Sequence, residues 1–278
     1  MIPMPPAEFL QLGPLHLRWY GLFAALAMLA GYFLLSKRAR QYNFTQPQVD
    51  LMIIACVVAG IVGARIEYVR RFWDAPGHDF STDFSSVFKV WQGGLVFQGG
   101  FLLAAIVILL LCWRKHWSLR DTADLIAPAL PVAHAVARLG CLLNGCCFGR
   151  PWSGFCSVRY PMDGNAVAEI QASKGLIEAG APSLPVIPVQ FLESLWCLAI
   201  AGLILWLERR RILSGARFIL YVLLYTIGRI LLECLRGDYP VGTGRFTPAQ
   251  LTSACVVIPA TLVAIGLIVW HNRRRPAK

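Results

Sequence analysis

Charged side chains are scarce in this sequence, and acidic ones are scarcer than basic ones. Only 15% of the 278 residues are charged, whereas 57% are hydrophobic and the mean hydropathy is +0.58. A soluble domain normally carries roughly 25% charged residues, so this composition excludes an ordinary soluble domain. The chain also lacks an internal repeat, which argues against a transporter built from repeated halves.

Long apolar runs take the place of charge. Seven runs predict transmembrane helices, and they lie roughly at 19–35, 50–69, 94–113, 122–143, 188–207, 216–235 and 250–271. The first run follows no basic segment and ends in Lys37, Arg38 and Arg40, so we expect it to remain as a helix and not to be cleaved as a signal peptide. The sequence predicts an all-α integral membrane protein of about seven helices, forming one polytopic domain over 1–278.

The basic residues indicate how the chain runs through the membrane. Clusters follow every odd-numbered run: Lys37, Arg38 and Arg40; Arg114, Lys115 and Arg120; Arg209 to Arg211; and Arg273 to Arg275 with Lys278. The positive-inside rule then predicts an outside N-terminus and a cytoplasmic C-terminus, with the long segment 144–187 as an extracytoplasmic cap. Membrane lipids explain the net charge of +11, so we expect no nucleic-acid partner.

Ionisable residues inside the apolar runs are candidates for a functional site, because charge is costly in lipid. Arg138 lies in the fourth run and Arg65 at the end of the second. In the sixth run Tyr225, Arg229 and Glu233 share one helix face. Three arginines exceed what one acidic partner neutralises, and their planar guanidinium suits phosphate. The pattern predicts an outward-facing site for a phospholipid head group.

Structural roles for the same residues stay open at this point. Arg138 would reach the outer interface by snorkelling, and Arg229 would only neutralise Glu233. Arg65 lies beside Glu67, which is four residues before Arg71 and favours an interfacial ion pair.

Glycine and cysteine supply two further groups. The pairs Gly93-Gly94 and Gly99-Gly100 flank the start of the third run, where glycine permits either a re-entrant chain at a cavity or close helix packing. Four cysteines cluster where the fourth run meets the segment that follows it: Cys141, Cys146, Cys147 and Cys156. They favour a disulfide in an oxidising outer compartment; a reactive thiol, inert packing and a metal site remain alternatives. The spacing is unlike the usual paired zinc motifs, so we expect no metal.

In order and spacing, several motifs resemble those of the bacterial prolipoprotein diacylglyceryl transferase family. They are Leu15-His16-Leu17-Arg18-Trp19-Tyr20-Gly21, Gly63-Ala64-Arg65-Ile66-Glu67-Tyr68-Val69, Val90-Trp91-Gln92-Gly93-Gly94, Asp124-Leu125-Ile126-Ala127-Pro128, Ala137-Arg138-Leu139-Gly140, Asn144-Gly145 with Gly149, then Pro188, Gln190 and Glu193, and Gly228-Arg229 with Glu233 and Arg236. The resemblance implies transfer of the diacylglyceryl group of phosphatidylglycerol to the lipobox cysteine of a prolipoprotein, with release of glycerol-1-phosphate.

The resemblance also implies the setting and the site. It implies the bacterial cytoplasmic (inner) membrane and no metal or organic cofactor. Arg138, Arg229, Tyr20 and Glu233 become the expected catalytic residues. The expected substrate-binding residues are Arg65, Gln98, Gly99, Gly100, Asn144, Gly149, Tyr225 and Arg236.

The sequence departs from the family pattern inside its signatures. Gln98 stands where the family has the histidine of a His-Gly-Gly motif, and Cys141 and Cys146 replace an asparagine and a glutamate. Ile187 and Leu192 replace a histidine and a tyrosine. Since glutamine is no base near neutral pH, we expect Glu233, Tyr20 or a thiolate to accept the thiol proton. The departures leave two alternative functions open: a related transferase with another acceptor, and a non-catalytic lipid-binding or lipid-transport protein.

Overall fold

The structure is a computed structural model that describes residues 1–12, 15–73, 80, 83–90, 93–161, 166–178, 180–238, 250, 257–259 and 261. Its helices are α1 (Trp19–Arg38), α2 (Gln46–Arg71), α3 (Phe97–Lys115), α4 (Leu119–Ile126), α5 (Ala129–Asn144), α6 (Ala166–Ser173), α7 (Val189–Arg209) and α8 (Arg217–Glu233). The strands are β1 (Ile2–Pro3), β2 (Glu8–Leu12), β3 (Leu15–Arg18) and β4 (Val158–Arg159). β1 pairs in parallel with β4, and β2 pairs antiparallel with β3.

Five helical segments of the described chain are long and apolar enough to cross a bilayer. They are Trp19–Tyr42, Gln46–Arg71, Phe97–Lys115, Leu119–Asn144 and Val189–Arg209. They correspond to the first five predicted spans, so a mostly helical, multi-pass membrane protein is confirmed. The sixth predicted span corresponds to α8, which has 17 residues. The seventh, at 250–271, lies almost entirely outside the described residues.

Local sequence sets the ends of these helices. A capping box opens α2, in which the backbone N–H of Thr45 donates to the Gln48 side chain at 2.8 Å. The fourth predicted span is divided into α4 and α5 at Pro128, since proline cannot donate the backbone hydrogen bond that a continuous helix needs.

The chain forms two compact units, Leu35–Thr122 and Met1–Leu34 with Ala123–Lys278. In the first, α2 and α3 approach closely at glycines. A Cβ on Gly99 would lie 2.3 Å from the carbonyl oxygen of Gly63, and one on Gly100 would lie 2.6 Å from that of Gly60. Gly99 and Gly100 therefore act in helix packing, one of the two roles that the sequence left open.

Gly99→Ala is expected to destabilise this helix pair. The added methyl group has no room against the backbone of α2, and overpacking of this kind costs about 1–3 kcal/mol. Thermal unfolding in lipid nanodiscs should show a lower midpoint. Gly60→Ala is the matched control, because a Cβ there meets nothing within 4 Å. Equal midpoints for the two variants would show that the contact is not tight.

In the second unit a buried carboxylate ties α4 to the start of α8. Asp124 accepts backbone hydrogen bonds from Gly215 at 2.6 Å and Arg217 at 3.0 Å, and its carboxylate lies 3.4 Å from Nη1 of Arg217. This aspartate of the family-like signature thus has a structural role. It fixes the loop that leads into the helix carrying Arg229.

Residues between α5 and α7 fold around a small core of their own. Its buried side chains are Phe148, Val158, Tyr160, Val167 and Val186. Tyr160 donates its hydroxyl hydrogen to the carbonyl oxygen of Leu142 at 2.7 Å. The backbone of Phe148 to Arg150 pairs with that of Leu235 to Gly237, just beyond α8. This segment is therefore held against the ends of two helices that carry candidate site residues.

Candidate active site

A glutamate on α7 lies at the centre of the buried polar groups. Glu193 has a side chain only 4% exposed, and it is bound through both oxygens by Arg138 of α5, with Nε 2.9 Å from Oε2 and Nη2 3.0 Å from Oε1. His134 Nε2 lies 3.2 Å from Oε1, and Arg229 Nη1 lies 3.7 Å from Oε2. Two helices, α5 and α8, thus direct cationic or protonatable groups at one carboxylate of α7.

A second carboxylate continues this network along α8. Glu233 is buried, 2.9 Å from Nη2 of Arg229 and 3.8 Å from Nη1 of Arg236. Arg236 also donates through Nε to Asp238 at 2.9 Å. Three arginines therefore face three carboxylates, which allows the charges to persist with little exposure to solvent.

Helical spacing produces much of this arrangement. His134 and Arg138 are four residues apart on α5, as Arg229 and Glu233 are on α8, so each pair shares a face. Nε of Arg138 lies 3.0 Å from Nε2 of His134. Arg229 Nη1 and Asn144 Oδ1 are buried without a hydrogen-bond partner among the described residues. Both groups are available to hydrogen-bond a polar ligand or water.

Three cysteines border the same site. The Sγ atoms of Cys141, Cys146 and Cys147 all lie within 4.8 Å of one another. Arg138 Nη1 lies 3.9 Å from Cys141 Sγ. Hydrogen bonds from the Cys141 and Cys146 thiols, and then the charges of Arg138 and Arg236, lower the pKa of Cys147. These three cysteines and the exposed Cys156 are free thiols in the structure, so it gives no support to the expected disulfide.

Most of the expected catalytic residues come together here. Arg138, Arg229 and Glu233 form the network, and the ring of Tyr225 lies 5.1 Å from that of His134. Tyr20, near the start of α1, lies within electrostatic reach of Arg138 and the three thiols. The remaining neighbours expected from the sequence are Asn144 at the end of α5, Gly149 and Arg236 in the backbone pairing beyond α8.

Arg65 has a different environment from the one expected. It lies in the other unit, where its guanidinium donates to the carbonyl oxygens of Ser86, Val87, Gly93 and Gly94 at 2.6–3.1 Å. Four of its five N–H donors are therefore hydrogen-bonded to backbone carbonyl oxygens. Arg65 holds the loop before α3, and the geometry does not support phosphate binding. Gln98, in the same unit, is exposed on the first turn of α3.

Two central residues were missing from the expected site. Glu193 appeared in the sequence analysis only among the motifs of the resemblance, and His134 was not singled out there as a site residue. The i, i+4 spacing of His134 and Arg138 was a usable signal. His134 supplies a histidine at the site, although Gln98 and Ile187 stand where the family has two other histidines.

Fold and site together define a multi-pass membrane protein with arginines and carboxylates buried in one network. A family model described as prolipoprotein diacylglyceryl transferase matches residues 7–270. The chain belongs to this family, which confirms the resemblance and makes it a member of a family of membrane transferases.

Similar proteins from several bacteria carry the name phosphatidylglycerol–prolipoprotein diacylglyceryl transferase. One from Paenarthrobacter aurescens is 34% identical over 246 residues, which is 86% of this chain and 74% of the relative. One from Symbiobacterium thermophilum is 30% identical over 95% of this chain and 92% of its own length. One from Clostridium tetani is 28% identical over 98% of both chains.

Proposed function

We propose that this protein transfers the diacylglyceryl group of phosphatidylglycerol to the lipobox cysteine thiol of prolipoproteins, and releases glycerol-1-phosphate. The observation that carries the proposal is the convergence of Arg138 and Arg229 from separate helices on Glu193. The two guanidinium groups are 14% and 17% exposed, so their charges act in a site with little water.

The arginines have a direct role in the transfer step. As the bond between the glyceryl carbon and the phosphate oxygen breaks, negative charge grows on the departing phosphate. Arg229 Nη1 offers a donor that has no hydrogen-bond partner among the described groups, and Arg138 is held in position by Glu193. Donors that are positioned before the reaction lower its barrier because they need not reorganise.

His134 is the candidate acceptor of the thiol proton. Protonation of its ring would turn the 3.2 Å contact between Nε2 and Glu193 Oε1 into an ion pair. Glu193 would therefore orient the ring, as carboxylates do for histidine bases. This assignment replaces Glu233 and Tyr20 as expected bases, and leaves Glu233 as the partner of Arg229.

An apolar groove next to Arg229 suits the acyl chains of the lipid. It lies between α7 and α8 and is lined by Leu192, Leu195, Trp196, Ala199, Gly228, Leu231 and Leu232. Gly228 lets the indole of Trp196 lie directly against α8, because a Cβ there would lie 2.0 Å from Nε1 of Trp196. The groove would place a lipid with its tails in the membrane and its phosphate near Arg229.

The proposal includes the membrane arrangement. The chain forms one polytopic domain of seven spans in the bacterial inner membrane, with the N-terminus outside and the C-terminus in the cytoplasm. Five apolar helices and the basic clusters after odd-numbered spans support this topology. Segment 144–187, with its own core, would cap the site on the side where a secreted prolipoprotein arrives.

The test uses the full chain in nanodiscs that contain phosphatidylglycerol, with a lipobox peptide as acceptor. We expect glycerol phosphate release and a diacylglyceryl mass shift on the peptide, with neither in phosphatidylethanolamine nanodiscs. A peptide with serine in place of cysteine is the matched control. Glycerol phosphate release without peptide modification would indicate another acceptor. Lipid binding without either product would contradict the proposal.

A further inference from the structure

The three clustered thiols have no assigned part in the reaction just proposed. Backbone geometry holds them together: α5 ends in a Schellman-type turn, where the N–H of Gly145 donates to Leu142 and that of Cys146 to Cys141. Gly145 has φ 72° and Cys147 has φ 58°, both in the left-handed region. The chain thus turns back at once after the helix and returns Cys146 and Cys147 to Cys141.

We propose that Cys141, Cys146 and Cys147 form a three-thiolate zinc site whose fourth position binds the acceptor thiol of the transfer reaction. The inference rests on the proposed function for its fourth ligand. It differs from the cofactor-free reaction that the family resemblance implies.

The geometry of the thiols is close to what zinc needs. Zinc–sulfur bonds of about 2.3 Å in a tetrahedron place sulfur atoms about 3.8 Å apart. The three Sγ atoms lie within 4.8 Å of one another, so rotations of the side chains by about 1 Å would close the site. Three protein ligands leave one tetrahedral position open, which is the pattern of catalytic zinc rather than structural zinc.

The surrounding charge favours a thiolate-rich metal centre. Zinc with three thiolates carries one net negative charge, and a fourth thiolate adds another. Nη1 of Arg138 lies 3.9 Å from Cys141 Sγ, and Arg236 lies close enough to act on Cys147. These cations lie beside the thiols, and Arg138 also belongs to the proposed lipid-phosphate site.

The chemistry explains how the thiol is activated. On binding zinc the acceptor thiol loses its proton, which passes to His134. The thiolate sulfur then attacks the glyceryl carbon. The carbon–sulfur bond forms while the carbon–oxygen bond breaks, and its electron pair leaves with the phosphate. Glycerol-1-phosphate takes the proton from His134, and the thioether, a weaker zinc ligand, dissociates. No oxidant or reductant is needed.

The test measures metal directly. Full-length protein in nanodiscs is exposed to zinc, freed of excess metal and analysed by mass spectrometry for metal content. We expect about one zinc per chain in the wild type, and a loss of at least tenfold in Cys146→Ser and in Cys147→Ser. Cys156→Ser is the matched control, because Cys156 lies in the same segment but outside the cluster. Lipid binding by each variant verifies that it is folded.

Cobalt substitution reports on the fourth position. We expect a thiolate-to-cobalt absorption band in the wild type, and a further change in the visible spectrum with the lipobox peptide but not with its serine analogue. Zinc binding that persists in Cys146→Ser would overturn the inference. A visible cobalt spectrum that does not change when the peptide is added would overturn it as well. Full transfer activity in demonstrably zinc-free protein would overturn it too, yet would leave the proposed function standing. A peptide-sensitive cobalt site without any transfer would support the site and contradict the proposed function instead.

Discussion

Arg138→Ala should lower the rate of diacylglyceryl transfer by roughly a thousandfold, in line with removal of one donor from a preorganised anion site. The side chain engages Glu193 through two hydrogen-bonding nitrogens, touches His134 and reaches Cys141. Its loss removes charge at the phosphate and also releases the groups that it orients. The effect should fall on kcat more than on KM, because the charge that it stabilises develops during bond breaking.

The assay is mass-spectrometric detection of the modified peptide, with glycerol phosphate measured in parallel. Arg138→Lys keeps the positive charge but loses the fork geometry, so it should recover little activity. Arg70→Ala is a suitable control, since the side chain of that arginine is 69% exposed and pairs with Glu67 on the surface of α2. Retention of more than a tenth of the activity in Arg138→Ala would remove Arg138 from the transfer step.

Glu193→Gln should destabilise the protein by about 3–5 kcal/mol, because it leaves buried arginines without their shared carboxylate. Arg138 would lose its two-oxygen partner and Arg229 one of its two carboxylates. His134 would also lose its contact with Glu193 Oε1, which orients the ring, so transfer should fall even at temperatures where the variant remains folded.

Thermal unfolding and transfer are measured on the same nanodisc preparation of Glu193→Gln. Glu67→Gln is the control, because Glu67 forms surface ion pairs with Arg70 and Arg71, and surface pairs contribute little. An unchanged unfolding midpoint in Glu193→Gln would mean that the three helices are held together without this carboxylate.

The sequence predicted the features that depend on neighbours along the chain. Apolar run length located five helices that the structure confirms, and helical spacing placed Arg229 and Glu233 on one face. Charge inside an apolar run also singled out Arg138 and Arg229, which the structure brings to one carboxylate. Pro128 lies in the fourth run, but the division of that run into two helices was not predicted.

The features that the sequence did not predict depend on contacts between distant segments. Glu193 is 55 residues from Arg138 along the chain, and nothing local shows that their helices face each other. Arg65 looked like Arg138 in sequence, yet a loop 21–29 residues away occupies its donors. The cysteines looked like a disulfide candidate because spacing alone does not reveal the turn at Gly145 that brings three thiols together.

The length of α8 has a consequence for the lipid around it. Seventeen residues rise about 25 Å, roughly 5 Å less than the hydrocarbon thickness of a typical bilayer. A short helix is matched by local thinning of the membrane. The head-group layer beside α8 should therefore dip toward Arg229, so that a phospholipid presents its phosphate without leaving the leaflet. Hydrophobic mismatch would then bring the lipid bond that breaks in the reaction to the membrane depth at which the site arginines lie.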